Sequence, residues 1–167
     1  MDASDLATDI LALARAQGRT LTTAESCTGG LIAAALTRIS GASEAFHEGY
    51  VTYSNAAKTK LLGVPEAVLA EHGAVSLPVA HAMAEGALTS AGADLALSVT
   101  GIAGPTGGSA EKPVGMVCFG LAFRLPDGEV RSQANVHVFE NLGRDYIREQ
   151  SVMYALHWAR EHLKAEA

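Results

Sequence analysis

Aromatic side chains make up only 5% of this 167-residue sequence, and cysteine occurs just twice. With so few rings the core has to come from Ala, Val, Leu and Ile, in a chain that is 49% apolar. Small side chains let backbones approach closely, and that favours helices packed on a sheet. Cys27 and Cys118 stand far apart and outside any CxxC spacing, so neither a disulfide framework nor a thiolate metal site is signalled. Positive charge is short as well: 12 Lys and Arg face 18 Asp and Glu, for a net charge of −6. With no basic run, a nucleic-acid surface that works by neutralising phosphates is not expected. The first residues, "MDASDLATDI", lack the basic and apolar regions of a signal peptide, so a cytoplasmic protein without a membrane segment is expected.

The length suits one domain, residues 1–167, able to bury its own core. Residues 4–17 place Leu6, Ile10, Leu11 and Leu13 near one helical face, with Ser4 as cap and Gly18 as stop. A short strand over 20–25 then gives way to an Ala-rich helix over 28–39 whose glycines fall in its first turn. Residues 49–54, "GYVTYS", read as a second strand, followed by a helix over 55–63 with Asn55 as N-cap and Gly63 as stop. A short helix after Pro65 and a longer one over 76–92, capped by Ser76, lead to the apolar run 94–102, suited to a buried strand. The Gly- and Pro-rich stretch "AGPTGGSAEKP" is a loop. Residues 114–124 and 130–140 form a hairpin about a Pro-Asp-Gly turn, and a helix over 144–164 closes the chain. This order predicts a three-layer α/β/α sandwich with a mixed central sheet.

Ligands of open α/β sheets gather outside the carboxyl ends of strands, and three such joints are available: 25–30, 53–58 and 100–108. They are expected to form one site. In the first, "ESCTGG", Ser26 or Thr28 reads either as a helix cap or, for Ser26, as a nucleophile. Gly29 and Gly30 would let backbone N–H groups approach a ligand oxygen at a helix N-terminus. The stretch is neither GxSxG nor a Walker A loop. Cys27 is the rival nucleophile, since a helix N-terminus lowers a thiol pKa, and a buried small hydrophobe is its other reading. None of the six histidines stands in a context suggesting a partner for it.

In the second joint, Lys58 falls on the third helical position if Asn55 caps, where the dipole disfavours a cation. A neutral lysine is the base that a serine needs in the absence of histidine, and an ordinary exposed lysine is the alternative. Tyr53 at the strand end either moves a proton, positions the amine, or packs as an edge aromatic. In the third, Thr100 and Gly101 end a strand, and Gly104, Gly107 and Gly108 follow in a loop able to wrap a ligand. Arg144 and Arg148, four apart on the last helix, either grip a phosphate or pair with Asp145 and Glu149.

Four stretches in order, "TTAESCTGG", "GYVTYSNAAK", "HGAVS" and "VTGIAGPTGGSAEKPVG", resemble the CinA C-terminal family, the nicotinamide-nucleotide amidases, over nearly the whole chain. The resemblance implies a stand-alone amidase domain, without the N-terminal domain fused to many members. It implies hydrolysis of the carboxamide of nicotinamide mononucleotide, with no metal or organic cofactor, and a homodimer, to which the low-charge run "VGMVCFGLAF" also points. It further implies Ser26 as nucleophile, Lys58 as base, Tyr53 completing the proton relay and Thr100 holding the serine or the amide. Substrate binding would fall to Cys27, Thr28, Gly29, Gly30 and Asn55 on the first two joints. Gly101, Gly104, Arg144 and Arg148 would add to it, with Arg144 near the phosphate.

Overall fold

A computed structural model describes all residues, 1–167. The chain runs α1 (Ala3–Ala16), β1 (Leu21–Glu25), α2 (Leu31–Thr37), a 3-10 turn (Ala42–Glu44), β2 (Tyr50–Val51), α3 (Asn55–Leu62), α4 (Glu66–His72), α5 (Leu77–Ala91), β3 (Leu95–Gly101), β4 (Met116–Arg124), β5 (Val130–Val138) and α6 (Arg144–Ala165). One five-stranded sheet has the order β2-β1-β3-β4-β5. β1 lies parallel to both neighbours, and β4 and β5 are added antiparallel, so the sheet is mixed as expected.

The sheet divides the helices into two layers. Leu6, Ile10 and Leu11 of α1, Ile32 and Leu36 of α2 and Ile147 and Leu156 of α6 pack on Leu95, Leu97 and Val99 of β3. Each such aliphatic residue contributes about 1.5–3 kcal/mol on burial. The alternate residues of β3 face α5, through Ala96 and through Ser98, whose hydroxyl donates to the Ala80 carbonyl at 2.7 Å. Here the layers touch through backbone: a Cβ on Gly120 would sit 2.3 Å from the Ala80 oxygen. The scarce aromatics gather mainly on the opposite layer, where Phe119 stacks on Tyr154 with ring centroids 4.2 Å apart and Trp158 packs nearby. No helix is long and apolar enough to cross a membrane.

Several local expectations are corrected. Asp2, not Ser4, caps α1, in a reciprocal capping box with Asp5 that satisfies two orphan N–H groups. The glycines precede α2 instead of lying in its first turn, because Gly29 and Gly30 have φ of 58° and 102°. β2 is two residues long, since the chain turns into α3 straight after Thr52 and Tyr53. Ser54, one residue before the expected Asn55, caps α3 by accepting from the Ala57 N–H. The run "VGMVCFGLAF" lies largely in β4, paired on both sides and buried, so the core explains its apolar character and an interface is not needed.

Candidate active site

The carboxyl ends of β1, β2 and β3 converge, and the three joints open on one pocket of about 240 Å³. Ser26, Cys27, Tyr53, Lys58, Thr100, Gly101 and Arg144 line it, joined by Ala74, Val75 and Ala103. A larger depression of about 720 Å³ lies among α1, α2 and α6, but none of the expected catalytic side chains reaches it. Chemistry, not size, marks the smaller pocket.

Lys58 is among the largest fully buried side chains, 1% exposed. Its Nζ lies 2.7 Å from the Thr52 carbonyl oxygen, 3.0 Å from Ser26 Oγ and 3.4 Å from the Tyr53 carbonyl oxygen. A neutral amine has two N–H donors and one lone pair, whereas carbonyls only accept. The two carbonyls accept from Lys58 in either protonation state, while the Ser26 hydroxyl accepts from the ammonium and can donate to the lone pair of the neutral amine. Burial pushes the pKa below the ordinary 10.5, and no carboxylate offsets the shift. Desolvation is the main cause, and Lys58 stands at the fourth helical position, not the third, because Ser54 is the cap.

Ser26 itself caps nothing. Its N–H donates to Val99, its carbonyl accepts from the Gly29 N–H, and its side chain faces Lys58. The N-cap of α2, Gly30, has no side chain, and the capping carboxylate comes instead from Glu25, to which the sequence alone assigns no role. Its buried carboxylate accepts from the Ile32 N–H at 2.8 Å, the Ala33 N–H at 3.0 Å and the Thr28 hydroxyl at 2.7 Å. A carboxylate just ahead of a helix's first turn was the available signal. The Gly29 N–H is likewise engaged within the turn, while the N–H groups of Cys27, Thr28 and Gly30 meet no protein acceptor. Cys27 is no thiolate: burial pushes its pKa up to about 12, against the lowering that a helix N-terminus would give.

The remaining expected residues divide. Tyr53 offers Lys58 its carbonyl, while its hydroxyl, on a side chain 61% exposed, accepts from Arg144 at 2.7 Å. A direct hydroxyl relay from Tyr53 to Lys58 is therefore not formed. Thr100 donates to the Ala74 carbonyl at 2.9 Å and so ties β3 to the segment before α5. Arg144 also donates to the Gly104 carbonyl at 2.8 Å, spanning the pocket mouth from the glycine-rich loop to Tyr53. Arg148 turns to the carbonyls of Cys27 and Thr28 and does not line the pocket. Asn55 opens α3 and lines a separate depression with Ala56 and Glu66. Thr52, Ala74 and Val75, unassigned from sequence, join the site through a carbonyl and through lining, roles that side-chain chemistry does not announce.

The chain resembles known proteins along its length. It is 52% identical over 161 residues to the nicotinamide-nucleotide amidohydrolase PncC of Enterobacter agglomerans, covering 96% of this chain and 95% of that protein. It is 54% identical over 152 residues to a CinA-like protein of Citrifermentans bemidjiense, covering 90% of this chain but 35% of that protein. The chain thus spans about a third of the length of some relatives that it matches. The crystal structure of the competence/damage inducible protein CihA from Agrobacterium tumefaciens superposes with a TM-score of 0.90 at 44% identity, over 98% of this chain and 96% of that one. The model of the CinA C-terminal domain matches residues 3–163, and the chain belongs to that family.

Proposed function

We propose that this chain is an amidohydrolase that converts nicotinamide mononucleotide to nicotinate mononucleotide and ammonia, through a Ser26 nucleophile and a Lys58 base. The observation that carries the reading is a buried lysine 3.0 Å from a serine hydroxyl, with its pKa lowered by burial. Lys58 takes the Ser26 proton as Oγ bonds to the carboxamide carbon. The free N–H groups of Cys27 and Thr28 are the donors available to the oxyanion. Collapse breaks the C–N bond, and the proton on Lys58 leaves with the amine as ammonia. Water, deprotonated by Lys58, then attacks the acyl ester, and Ser26 recovers its proton as the acid departs. Water is the only co-substrate.

Arg144, held at the mouth by Gly104 and Tyr53, is suited to the nucleotide phosphate. A pocket of about 240 Å³ takes a pyridine carboxamide and leaves the ribose phosphate outside. That size also supports a second reading, an amidase for another small carboxamide. Ammonia release by the purified protein from nicotinamide mononucleotide, compared with the riboside lacking the phosphate, tests both. Preference for the phosphorylated substrate is expected; equal turnover supports the second reading, and binding without ammonia release rejects both.

A cytoplasmic location accords with the pyridine-nucleotide substrate. The expected homodimer has its support in β5, an edge strand with Val130, Val136 and Val138 exposed, and sedimentation velocity reads the mass.

A further inference from the structure

The turn that follows Ser26 is held from the side away from Lys58. From α6, Arg148 donates through Nε to the Cys27 carbonyl at 3.0 Å and through Nη2 to the Thr28 carbonyl at 3.3 Å. Gly29 makes room for it: a Cβ there would stand 3.3 Å from Nη2, on a backbone with φ of 58°. Asp145 is too distant and too exposed to compete, at 4.0 Å from Nη1.

In a trans peptide the C=O and the following N–H point in opposite directions. A Cys27 carbonyl drawn toward α6 therefore turns the Thr28 N–H toward the other face of the sheet, where Lys58 and the pocket lie. That N–H has no protein acceptor. A cation on the carbonyl also polarises the peptide and strengthens the N–H as a donor.

We infer that Arg148 is a positioning residue for the oxyanion-binding turn, holding the Cys27 and Thr28 carbonyls so that the free Thr28 N–H faces the bond that breaks, and is not a ligand of the substrate phosphate. The consequence for catalysis rests on the amidase reading above, whereas the geometry does not.

The test compares Arg148→Ala and Arg148→Lys on nicotinamide mononucleotide and on the riboside that lacks the phosphate. The alanine variant is expected to lose roughly 10- to 100-fold in kcat on both substrates, with each KM within about twofold of wild type. The lysine variant falls between, and methylguanidinium partly restores the alanine variant. A KM increase confined to the phosphorylated substrate, with kcat intact, would make Arg148 a phosphate ligand and overturn the inference, as would an unchanged kcat. Should the alanine variant not fold, the lysine variant carries the same comparison. If wild type releases no ammonia, the amidase reading fails alone. The rate at which a fluorophosphonate labels Ser26 then tests the turn: slower labelling in Arg148→Lys supports it, and an equal rate overturns it.

Discussion

Ser26 Oγ and Lys58 Nζ face each other at 3.0 Å across the joint between two parallel strands, with no histidine in contact with either. Removing either partner separates chemistry from folding. Ser26→Ala is expected to fold and to lose ammonia release at least about a thousandfold. Lys58→Arg keeps the charge but supplies no neutral base, and a loss of roughly 10²- to 10⁴-fold is expected. Single-turnover assays on nicotinamide mononucleotide, with circular dichroism as the folding control, check both.

With Lys58 as the proposed base and its pKa lowered by burial, ammonia release assayed across pH is expected to rise through that lowered value and to reach its plateau below the ordinary lysine range. Stability has the same sign. Below the folded-state pKa the buried ammonium is penalised in full, and the penalty is relieved as pH climbs toward the unfolded value near 10.5. Urea unfolding of wild type and Lys58→Met from pH 6 to pH 10 should show the wild type gaining on the variant as pH increases.

Cys27 predicts an absence of effect. A thiol pushed up to about 12 stays protonated at neutral pH, so iodoacetamide at pH 7.5 should leave turnover intact over hours. Cys27→Ala should keep kcat within about threefold, because the proposed mechanism uses its backbone and not its sulfur. Rapid inactivation by the reagent would return the thiol to candidacy.

Two buried positions are expected to be costly. Glu25→Ala strands the Ile32 and Ala33 N–H groups of a buried helix end, with an expected loss of about 2–4 kcal/mol. Gly120→Ala drives a methyl into the Ala80 carbonyl, with an expected loss of about 1–3 kcal/mol. Denaturant midpoints measure each.

Periodicity carried much of this fold. The apolar stripe of α1 and the unbroken run in β3 mark their own burial, and glycines with positive φ end α3 and α5 where expected. Ser54 and Asn55 are both competent caps, so composition alone does not choose between them. β2 is shorter than its residue types predict because β-branched and aromatic residues continue past the last ladder pair, in Thr52 and Tyr53. In the site, residue type signalled Ser26 and Lys58. Which N–H groups stay free, which carbonyls Arg148 holds and how deeply Cys27 is buried all depend on three-dimensional environment. The serine-lysine pair was therefore more legible than the turn that serves it.

The gathering of aromatic residues beside α6 determines how unfolding of this molecule would be observed. Its single tryptophan, Trp158, packs in the layer built by α1, α2 and α6, on the far side of the sheet from the helix that carries Lys58. Indole emission is therefore a local reporter: loosening of α3 and α5 that disables the lysine would leave the fluorescence signal nearly native. A protein that looks folded by that optical signal can already be catalytically dead, and the two transitions should be recorded together.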